Sequence, residues 1–589
     1  MSWLFRKTPR ISPSERLFEP PDWGWARTGD VGWWVRAGWE DALLGPDGLR
    51  LDEWRAQGRL TTVKTGPHRA VYRVDLPEGA VFVKHFLVPG FRSKLRQWLR
   101  RGKGRNEGRR TRSLAAIGVP TITPVALGEQ RKKTFLLENY LITHAIPEAI
   151  PLDEFVERRL PEWPGRRRAR ARRSLAAALA EMTARLHDAG YVHQDFHPGN
   201  ILVRMDEHDQ PRLSIIDLDA LRVSFPLGWP ESQHNLALLN HYFWLRSGRS
   251  DRARFLRAYL TARQVPMRDP RGFARSIENA TRTWAEKLWS RWGRRCQGTN
   301  KYFKVYKARH ARGVASRDLD PATVRALLAD PDAPFRAEGT FLLKNSRTTT
   351  VAELKLPVRG KPTPVIYKRF NKKSWLDPFW AYFRPSRAWQ AWQGGQHLAS
   401  RAIPTPRNLL FLARTRPFGR DLFWYMPQET YLVTIKEESI TVSDYVHDVL
   451  PVLDPAGQRL QIRRLTLALA RLLRMMHERS LSHRDLKASN LLILGDPHDP
   501  DPRLSVIDLV GVRLVHPIPS HRRLQNLARL NVSLSGIVNR TRADALRFLR
   551  AYLPWGLSTR NNWKGLWRAI AERSQTKRDR NRKSGRALS

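Results

Sequence analysis

The spacing of apolar and polar positions changes from a strand period to a helical period twice along the chain. Residues 61–86 alternate β-branched and aromatic residues with polar ones, which predicts a series of antiparallel strands. Residues 175–190 (LAAALAEMTARLHDAG) follow the helical period and end on Gly190, which predicts a helix with a glycine stop. Residues 466–480 (TLALARLLRMMHERS) show the same pattern. Strands followed by helices in each half predict an α+β fold, with a strand-rich small lobe before a helical large lobe.

The second half of the chain repeats the first. The heptapeptide RFLRAYL occurs at 254–260 and again at 547–553. Further pairs keep the same order, with a spacing that drifts slowly, as loop insertions would cause. They are VFVKHF at 81–86 with VIYKRF at 365–370, HQDFHPGNIL at 193–202 with HRDLKASNLL at 483–492, RLSIIDL at 212–218 with RLSVIDL at 503–509, and NLALLN at 235–240 with NLARLN at 526–531. The sequence therefore predicts a tandem duplication of one domain.

The predicted boundaries follow from the composition between the repeats. Charged and turn-forming residues are frequent before the second strand pattern, so we expect the join near 310–325. The sequence thus predicts a first domain at 56–310 and a second at 325–575. Residues 1–55 are Trp- and Gly-rich and have no evident counterpart in repeat two, so they form either a separate contact element or a packing layer on the first small lobe. Residues 576–589 are predicted to be a basic tail.

Repeat one has the residue types that phosphoryl transfer requires. That reaction needs a lysine on the nucleotide phosphates, oxygen ligands for magnesium, and a carboxylate that orients the acceptor hydroxyl. Asp195 and Asn200 lie in an HxDxxxxN segment, and Asp217 follows an apolar run in SIIDLD. Lys84 interrupts an apolar strand, where an unpaired ammonium would be costly to bury. These four residues are the first candidate site.

Repeat two has the same constellation in the same order. The segment HRDLKASN supplies Asp485, Lys487 and Asn490, and Asp508 follows in SVIDLVG. Lys368 takes the place of the strand lysine in VIYKRF. A single HxD triplet arises easily by chance, but the spaced loop, the later aspartate and the strand lysine occur in order twice. The sequence therefore predicts two phosphotransfer sites.

These motifs resemble the protein-kinase superfamily, with its HRDxxxxN catalytic loop and its later magnesium-binding aspartate. The resemblance implies that Lys84 and Lys368 bind the α- and β-phosphates of ATP. The lysine of these kinases pairs with a helix glutamate, and Glu107 is the candidate in repeat one. Ala391 falls at that place in repeat two, so we expect repeat two to be impaired. Neither repeat has a GxGxxG loop, DFG or APE motif, which argues against an ordinary serine/threonine protein kinase.

The chain is further similar to the lipopolysaccharide kinase (Kdo/WaaP) family, which phosphorylates Kdo or heptose sugars. The similarity rests on GVPT at 118–121 and AIPTP at 402–406, and on LENYLITH at 137–144 and QETYLVTI at 428–435, each ahead of its HxDxxxxN segment. It implies Mg²⁺- and ATP-dependent transfer to a sugar hydroxyl. Asp195 and Asp485 would then orient the acceptor, and Lys487 would lie beside the transferred phosphoryl group. Asn200 with Asp217, and Asn490 with Asp508, would bind magnesium.

Composition sets the expected location of the protein. The single cysteine, Cys296, excludes an intramolecular disulfide and a cysteine zinc site and suggests a reducing compartment. We see no signal-peptide pattern and no apolar run long enough to span a bilayer. We therefore expect a cytoplasmic protein that reaches a membrane only from its surface.

The charge of the chain favours polyanions. Lys and Arg total 104 against 55 Asp and Glu, a formal net charge of +49. The basic, aromatic-containing segments 86–110 and 371–384 could contact the anionic inner face of the cytoplasmic membrane, where a glycolipid acceptor is displayed. Ten basic residues between Arg92 and Arg112 would carry this contact. The alternative is that these basic residues are simply solvated and contact no membrane. We do not expect a nucleic-acid partner.

Three interpretations of function remain open from the sequence. The first is a kinase for a sugar or glycolipid acceptor. The second is a protein kinase or other regulatory kinase, because small-molecule and protein kinases share parts of these loops. The third is a pair in which one repeat is a pseudokinase that regulates or supports the other. The sequence leaves the acceptor, the oligomeric state and the activity of each repeat undecided.

Overall fold

The computed structural model describes residues 22–66, 69–87, 103–132, 135–371, 385–418, 423–537, 539–553 and 560–584. The chain divides into two compact units, Met1–Ala285 and Glu286–Ser589. Each unit has a strand-rich small lobe followed by a helical large lobe. Repeat one and repeat two refer to these units below.

The small lobe of repeat one is built on a seven-stranded sheet in which all neighbouring strands are antiparallel, in the order β1-β2-β8-β9-β7-β6-β5. The strands of this lobe are β1 Trp23–Thr28, β2 Val31–Arg36, β3 Leu44–Gly45, β4 Gly48–Leu49, β5 Leu60–Lys64, β6 Arg69–Leu76, β7 Gly79–Leu87, β8 Pro124–Lys132 and β9 Phe135–His144. Its helices are α1 Glu40–Leu43, α2 Leu51–Ala56 and α3 Lys103–Ala116.

Alternation along β7 places Lys84 on the face of the strand opposite the small-lobe core. Val81 and Val83 are fully buried in the small-lobe core, beside Trp33 and Trp54. Successive side chains of a strand point to opposite faces, so Lys84 projects away from that core. The alternating pattern in the sequence thus fixes the orientation of the lysine.

The large lobe of repeat one is mainly helical. Its helices are α4 Leu152–Glu154, α5 Gly165–Asp188, α6 Trp229–Arg246 and α7 Arg249–Ala262. The limit between the two units falls inside the next helix, α8 Pro270–Arg295, after Ala285. Its short strands are β10 Ile150–Pro151, β11 Tyr191–His193, β12 Ile201–Met205, β13 Pro211–Ile215 and β14 Leu221–Val223. The apolar face of α5 packs against β11, β13 and α7. This core supports the loops that carry the candidate site.

Repeat two has the same topology, with a seven-stranded sheet in the order β15-β16-β20-β21-β19-β18-β17. Its small-lobe elements are β15 Phe303–Lys307, β16 Ala311–Ser316, α9 Pro321–Ala329, β17 Phe341–Ser346, β18 Thr349–Val358, β19 Lys361–Phe370, α10 Arg387–Ser400, β20 Asn408–Phe418 and β21 Phe423–Ile435. Its large-lobe elements are β22 Ser439–Thr441, α11 Val442–Asp444, α12 Pro455–Glu478, β23 Leu481–His483, β24 Leu491–Leu494, β25 Arg503–Val506, β26 Val512–Leu514, α13 Ser520–Ser533, α14 Arg542–Tyr552 and α15 Arg560–Lys583.

The unit limits differ from the predicted domain limits. The predicted join at 310–325 falls inside the second unit, because β15 and β16 are the first strands of its sheet. The Trp-rich segment supplies the equivalent strands β1 and β2 of the first sheet, so it has a counterpart in repeat two after all. The predicted tail at 576–589 begins inside α15, which continues to Lys583. In these three places the segments are short or highly charged, so their sequence pattern does not predict the strands and the helix that they form.

No helix among the described residues is long and apolar enough to cross a membrane. The basic segments predicted to contact a membrane lie largely outside the described residues, since 88–102 and 372–384 are not among them. Within α3, the Arg105 guanidinium stacks 4.9 Å from the ring centre of Trp34 and lies 3.3 Å from Glu129. Arg110 donates a 2.8 Å hydrogen bond to the Leu218 carbonyl. These two arginines therefore have contacts inside repeat one.

Candidate active sites

The catalytic-loop segment of repeat one lies between β11 and β12. The His193 Nδ1 accepts a 3.2 Å hydrogen bond from the Asp195 amide, which ties the imidazole to the loop. Burial lowers the pKa of His193, so the ring is neutral and can accept this bond. Asn200 donates from Nδ2 to the Asp195 carbonyl at 2.8 Å. Since this bond uses the amide nitrogen, the Asn200 Oδ1 is the atom suited to a metal ion.

Asp217 follows β13 in a left-handed backbone conformation, with φ of 56°. This conformation is uncommon for a residue other than glycine, and it occurs often at functional sites. The Asp217 carboxylate lies 3.5 Å from the guanidinium of Arg69 on β6. The turn thus holds an acidic group beside the strand that covers the cleft.

Lys84 and Glu107 form an ion pair between β7 and α3. The Glu107 carboxylate is fully buried, and only 12% of the Lys84 side chain is exposed. The second carboxylate oxygen of Glu107, Oε2, has no hydrogen-bond partner among the described residues. Because a buried carboxylate is stable only when paired, Glu107 fixes the position of Lys84. The structure thus brings together the lysine and the glutamate that the sequence proposed as partners.

His197 adds a charge interaction to the loop of repeat one. Its Nε2 lies 3.5 Å from Oδ2 of Asp195. The hydrogen bond to His197 lowers the pKa of Asp195, and the same bond raises the pKa of His197. Asp195 is 71% exposed at the side chain, so it remains accessible from the cleft. An ionised, accessible carboxylate is what a proton acceptor for a substrate hydroxyl requires.

The catalytic loop of repeat two repeats this geometry closely. The Asp485 amide donates to His483 Nδ1 at 3.2 Å, and Asn490 Nδ2 donates to the Asp485 carbonyl at 2.8 Å. Asp508 has the same left-handed conformation, with φ of 54°. Lys487 occupies the place of the repeat-one histidine, and its Nζ lies 4.0 Å from Asp485 Oδ2. The large-lobe half of the site is therefore conserved between the repeats.

The small-lobe half of the site differs in repeat two. Glu107 is the fifth residue of the 14-residue helix α3, and Ala391 is the fifth residue of the 14-residue helix α10. Lys368 instead pairs with Asp508, at 3.5 Å. Burial lowers the pKa of Lys368, although the nearby Asp508 carboxylate opposes that change. The lysine and the predicted metal ligand of repeat two thus neutralise each other.

The chain matches the lipopolysaccharide kinase (Kdo/WaaP) family over residues 66–259 and 438–552, which together make up just over half of its length. The chain belongs to this family. The two matched segments carry the two catalytic loops, which confirms the predicted family and agrees with its tandem arrangement. The protein is therefore a kinase of the lipopolysaccharide kinase type, with two protein-kinase-like bilobal units.

Solved structures with a similar fold include WaaP in complex with acyl carrier protein, at 24% identity and a TM-score of 0.32, covering 43% of this chain and 98% of that one. The kinase domain of Mycobacterium tuberculosis PknI is similar at 17% identity and a TM-score of 0.23, covering 38% of this chain and 96% of that one. No curated protein sequence matches the chain.

Sequence reasoning missed a buried polar network that holds the catalytic loop of this kinase. In repeat one, His187 on α5 contacts the Tyr259 hydroxyl at 2.8 Å and Asn235 Oδ1 at 3.1 Å. Asn235 in turn donates to the backbone carbonyl of His193 at 2.7 Å. These hydrogen bonds therefore link helices α5, α6 and α7 to β11, the strand that precedes the loop.

The same network occurs in repeat two. His477 contacts the Tyr552 hydroxyl at 2.8 Å and Asn526 Oδ1 at 3.1 Å, and Asn526 donates to the His483 carbonyl at 3.0 Å. The signal for it was present in the sequence, since the asparagines lie in NLALLN and NLARLN and the tyrosines in the two RFLRAYL segments. Polar residues that recur at matched positions of a duplication identify such a network.

Arg69 is the second residue that sequence reasoning missed. It is the first residue of β6, and its guanidinium lies 3.5 Å from the Asp217 carboxylate. The strand register aligns Arg69 with Phe86 in repeat one and Thr349 with Phe370 in repeat two, so Thr349 is its counterpart. Repeat one lacks a glycine-rich loop, whose backbone amides would bind phosphate. The sequence could therefore have indicated Arg69 as a cation that takes over this role.

Proposed function

We propose that this protein transfers the γ-phosphate of ATP to a hydroxyl of a lipopolysaccharide core sugar of the Kdo or heptose type, and that repeat one carries the turnover. The single observation that supports this assignment best is the buried Lys84–Glu107 pair, in the repeat that also carries the HxDxxxxN loop with Asp195. A fixed lysine supplies the positioning of phosphates on which this reaction depends. Family membership supports the sugar as acceptor.

The proposed reaction assigns one task to each residue. Asp195 orients the acceptor hydroxyl and takes its proton as the oxygen attacks the γ-phosphorus. The new O–P bond forms while the bond to the bridging oxygen of ADP breaks, and its electron pair leaves with ADP. Lys84 binds the α- and β-phosphates, and Arg69 lies where it could neutralise charge beside Asp217.

The donor set suits magnesium. The Asn200 carbonyl oxygen and the Asp217 carboxylate are hard oxygen ligands, and magnesium uses one or two such groups together with phosphate oxygens and water. Asn200 is held by its bond to the Asp195 carbonyl, so the proposed ligand is already oriented. When bound, Mg²⁺ would supply charge neutralisation for the transferred phosphoryl group. Asn490 and Asp508 offer the same oxygen atoms in repeat two.

A labelled-ATP assay on the full chain tests this function. The acceptors are lipopolysaccharide core glycolipid, its dephosphorylated form and a generic protein substrate. We expect label on the dephosphorylated glycolipid, dependent on Mg²⁺ and lost on Asp195→Asn. Label on the protein substrate in preference to the glycolipid would instead support the protein-kinase alternative.

A second function is favoured for repeat two by its own geometry. Ala391 removes the glutamate, and Lys368 pairs with Asp508 in its place. Such a pair competes with nucleotide phosphates for the lysine and with magnesium for the aspartate. We propose that repeat two turns over little and mainly supports or regulates repeat one.

The proposed acceptor is part of a lipid assembly, so the enzyme must meet it at a surface. We propose reversible contact with an anionic membrane through the basic residues between Arg92 and Arg112. Within this stretch, Arg105 and Arg110 also have contacts inside repeat one. Each basic residue near such a surface contributes about 1 kcal/mol. Flotation with anionic and neutral vesicles at low and high salt tests the proposal, and binding to neither would contradict it.

A further inference from the structure

A basic groove lies between helices α13 and α15 in the large lobe of repeat two. Its volume is about 420 Å³. Ten residues line it, of which four are basic and only Glu572 is acidic. The four basic residues are Arg529, Arg573, Lys577 and Arg580. The predicted catalytic machinery uses none of them.

Arg529 connects this groove with the catalytic loop. Burial lowers the pKa of Arg529, and Arg573 and Arg580 from the groove and Arg484 from the loop lower it further, while the Asp485 carboxylate raises it. Ser533, one turn after Arg529 on α13, accepts a 3.0 Å hydrogen bond from the Ala488 amide, so this helix reaches the loop that carries Asp485. The arginines of the groove lie within electrostatic range of one another. Like charges gathered in this way cost folding free energy, and a bound anion would relieve that cost.

The equivalent position in repeat one is less basic. Asn240 donates to Thr281 at 2.9 Å, and Asn531 donates to Ser574 at 3.0 Å, so the two helix pairs can be aligned residue by residue. In this alignment the counterparts of Arg529, Arg573 and Lys577 are the uncharged Leu238, Ala280 and Trp284, and Arg580 alone keeps a basic counterpart, Lys287.

Apolar packing takes the place of the groove in repeat one. Leu238 belongs to the hydrophobic core. The Trp284 ring packs edge-on against His234, with 6.5 Å between ring centres. The groove is therefore a feature that repeat two acquired or kept on a shared framework, and a general basic bias of the chain does not explain it.

We propose that the α13–α15 groove binds the negatively charged group of a sugar, either a phosphomonoester or a carboxylate, near the loop that carries Asp485. Guanidinium groups suit both anions because they donate two parallel hydrogen bonds to a pair of oxygens. A sugar phosphate is the class of product that repeat one would release, so repeat two would bind what repeat one makes. The sugar part of this ligand rests on the proposed function, whereas the anion part rests on the groove alone.

Calorimetry on the full chain tests the proposal, with glucose 6-phosphate, glucuronate, inorganic phosphate and uncharged glucose as probes. The test variant is Arg573→Gln/Arg580→Gln. The control is Arg568→Gln/Arg582→Gln, which removes the same charge from exposed residues of α15 that do not line the groove. We expect one or both anionic sugars to bind, glucose not to bind, and the test variant to weaken binding at least about tenfold. The control should change the Kd less than about twofold, because it alters only long-range, screened charge.

The two anionic sugars separate the phosphate source from the carboxylate source. Equal weakening by both double variants, or binding of glucose as tight as binding of its phosphate, would overturn the proposal. No binding of any anionic probe by the unaltered chain would also overturn it. The protein could bind phosphate with the expected effect of the variants and yet phosphorylate no sugar acceptor. That result would support the anion-binding groove and contradict the proposed sugar-kinase function. Sugar phosphorylation without anion binding would do the reverse.

Discussion

The two repeats keep nearly the same large lobe and differ at its borders with the small lobe and with the last helix. In both, the loop asparagine donates to the backbone of the candidate catalytic aspartate at 2.8 Å, and a buried histidine contacts a tyrosine hydroxyl at 2.8 Å. The strand lysine, in contrast, pairs with a buried glutamate in one repeat and with the predicted metal ligand in the other. The interactions that stabilise the lobe have been retained, and those that would select nucleotide and acceptor have diverged.

The largest expected contrast lies in turnover. Asp195→Asn should lower the rate of phosphoryl transfer by about 10²- to 10⁴-fold, because it removes the proton acceptor while keeping the shape of the side chain. Asp485→Asn should change the rate of the full chain less than about twofold. Steady-state rates with labelled ATP measure both. Comparable large losses would show that both repeats catalyse, and no loss from either would contradict the enzyme assignment of these loops.

The next contrast is in stability of the small lobes. Lys84→Met leaves the fully buried Glu107 carboxylate without its partner, which should cost about 3–5 kcal/mol. Lys368→Met leaves Asp508, whose side chain is 37% exposed and can be hydrated, so the cost should be about 0–1 kcal/mol.

Hydrogen exchange resolved by peptide reports the opening of α3 and α10 separately. Lys64→Met, at an exposed lysine on β5, is a control for loss of charge alone. Equal destabilisation by the Lys84 and Lys368 substitutions would remove the basis for treating the two lysines differently.

A third prediction concerns a property that the repeats should share. Burial lowers the pKa of His187 and of His477 to about 4, from an ordinary value near 6.5. Between these two pH values the unfolded chain binds more protons than the folded chain, so stability is complete above about pH 6.5 and is lost as pH falls toward 4. The loss should reach about 3 kcal/mol for each histidine. The pH dependence of hydrogen exchange in the large lobes of His187→Gln, His477→Gln and the unaltered protein measures this loss of stability. A pH dependence that neither substitution reduces would contradict the assignment.

The smallest expected contrast is in nucleotide binding. ADP with Mg²⁺ should bind the full chain at two sites, with the repeat-two site about tenfold weaker because Asp508 competes for Lys368. Glu107→Gln should weaken the tighter site by a similar factor and leave the other unchanged. Calorimetry with both single-lysine variants assigns each site. If Lys368→Met abolished the tighter site, the order of the two repeats would be reversed.

The sequence predicted those features that depend on short, strongly patterned segments. The alternating strand around Lys84, the helix that carries Glu107 and the spaced catalytic loops all have such patterns, and the structure pairs Lys84 with Glu107 in repeat one. The absence of the glutamate in repeat two was also visible, because Ala391 aligns with Glu107 by spacing alone.

Features that depend on pairing across the chain were not predictable in this way. Strands β1, β2, β15 and β16 are short and join their sheets only through strands that lie about a hundred residues away, at positions the local pattern does not indicate. The contact between Lys368 and Asp508 and the basic groove likewise arise from tertiary packing. A helix as charged as α15 has the composition of a solvated tail, and its contacts with α13 make it part of the lobe.

The burial of Lys368 has a consequence for chemical labelling. Burial lowers the pKa of this lysine, so a larger fraction of its side chain is the free amine near neutral pH. The free amine is the form that attacks acylating reagents, including those built on nucleotides. Such a reagent would therefore mark the lysine of repeat two readily, although we assign turnover to repeat one. The extent of labelling by a nucleotide-directed probe would then report how accessible the lysine of repeat two is. It would not report the rate of phosphoryl transfer, which we assign to repeat one.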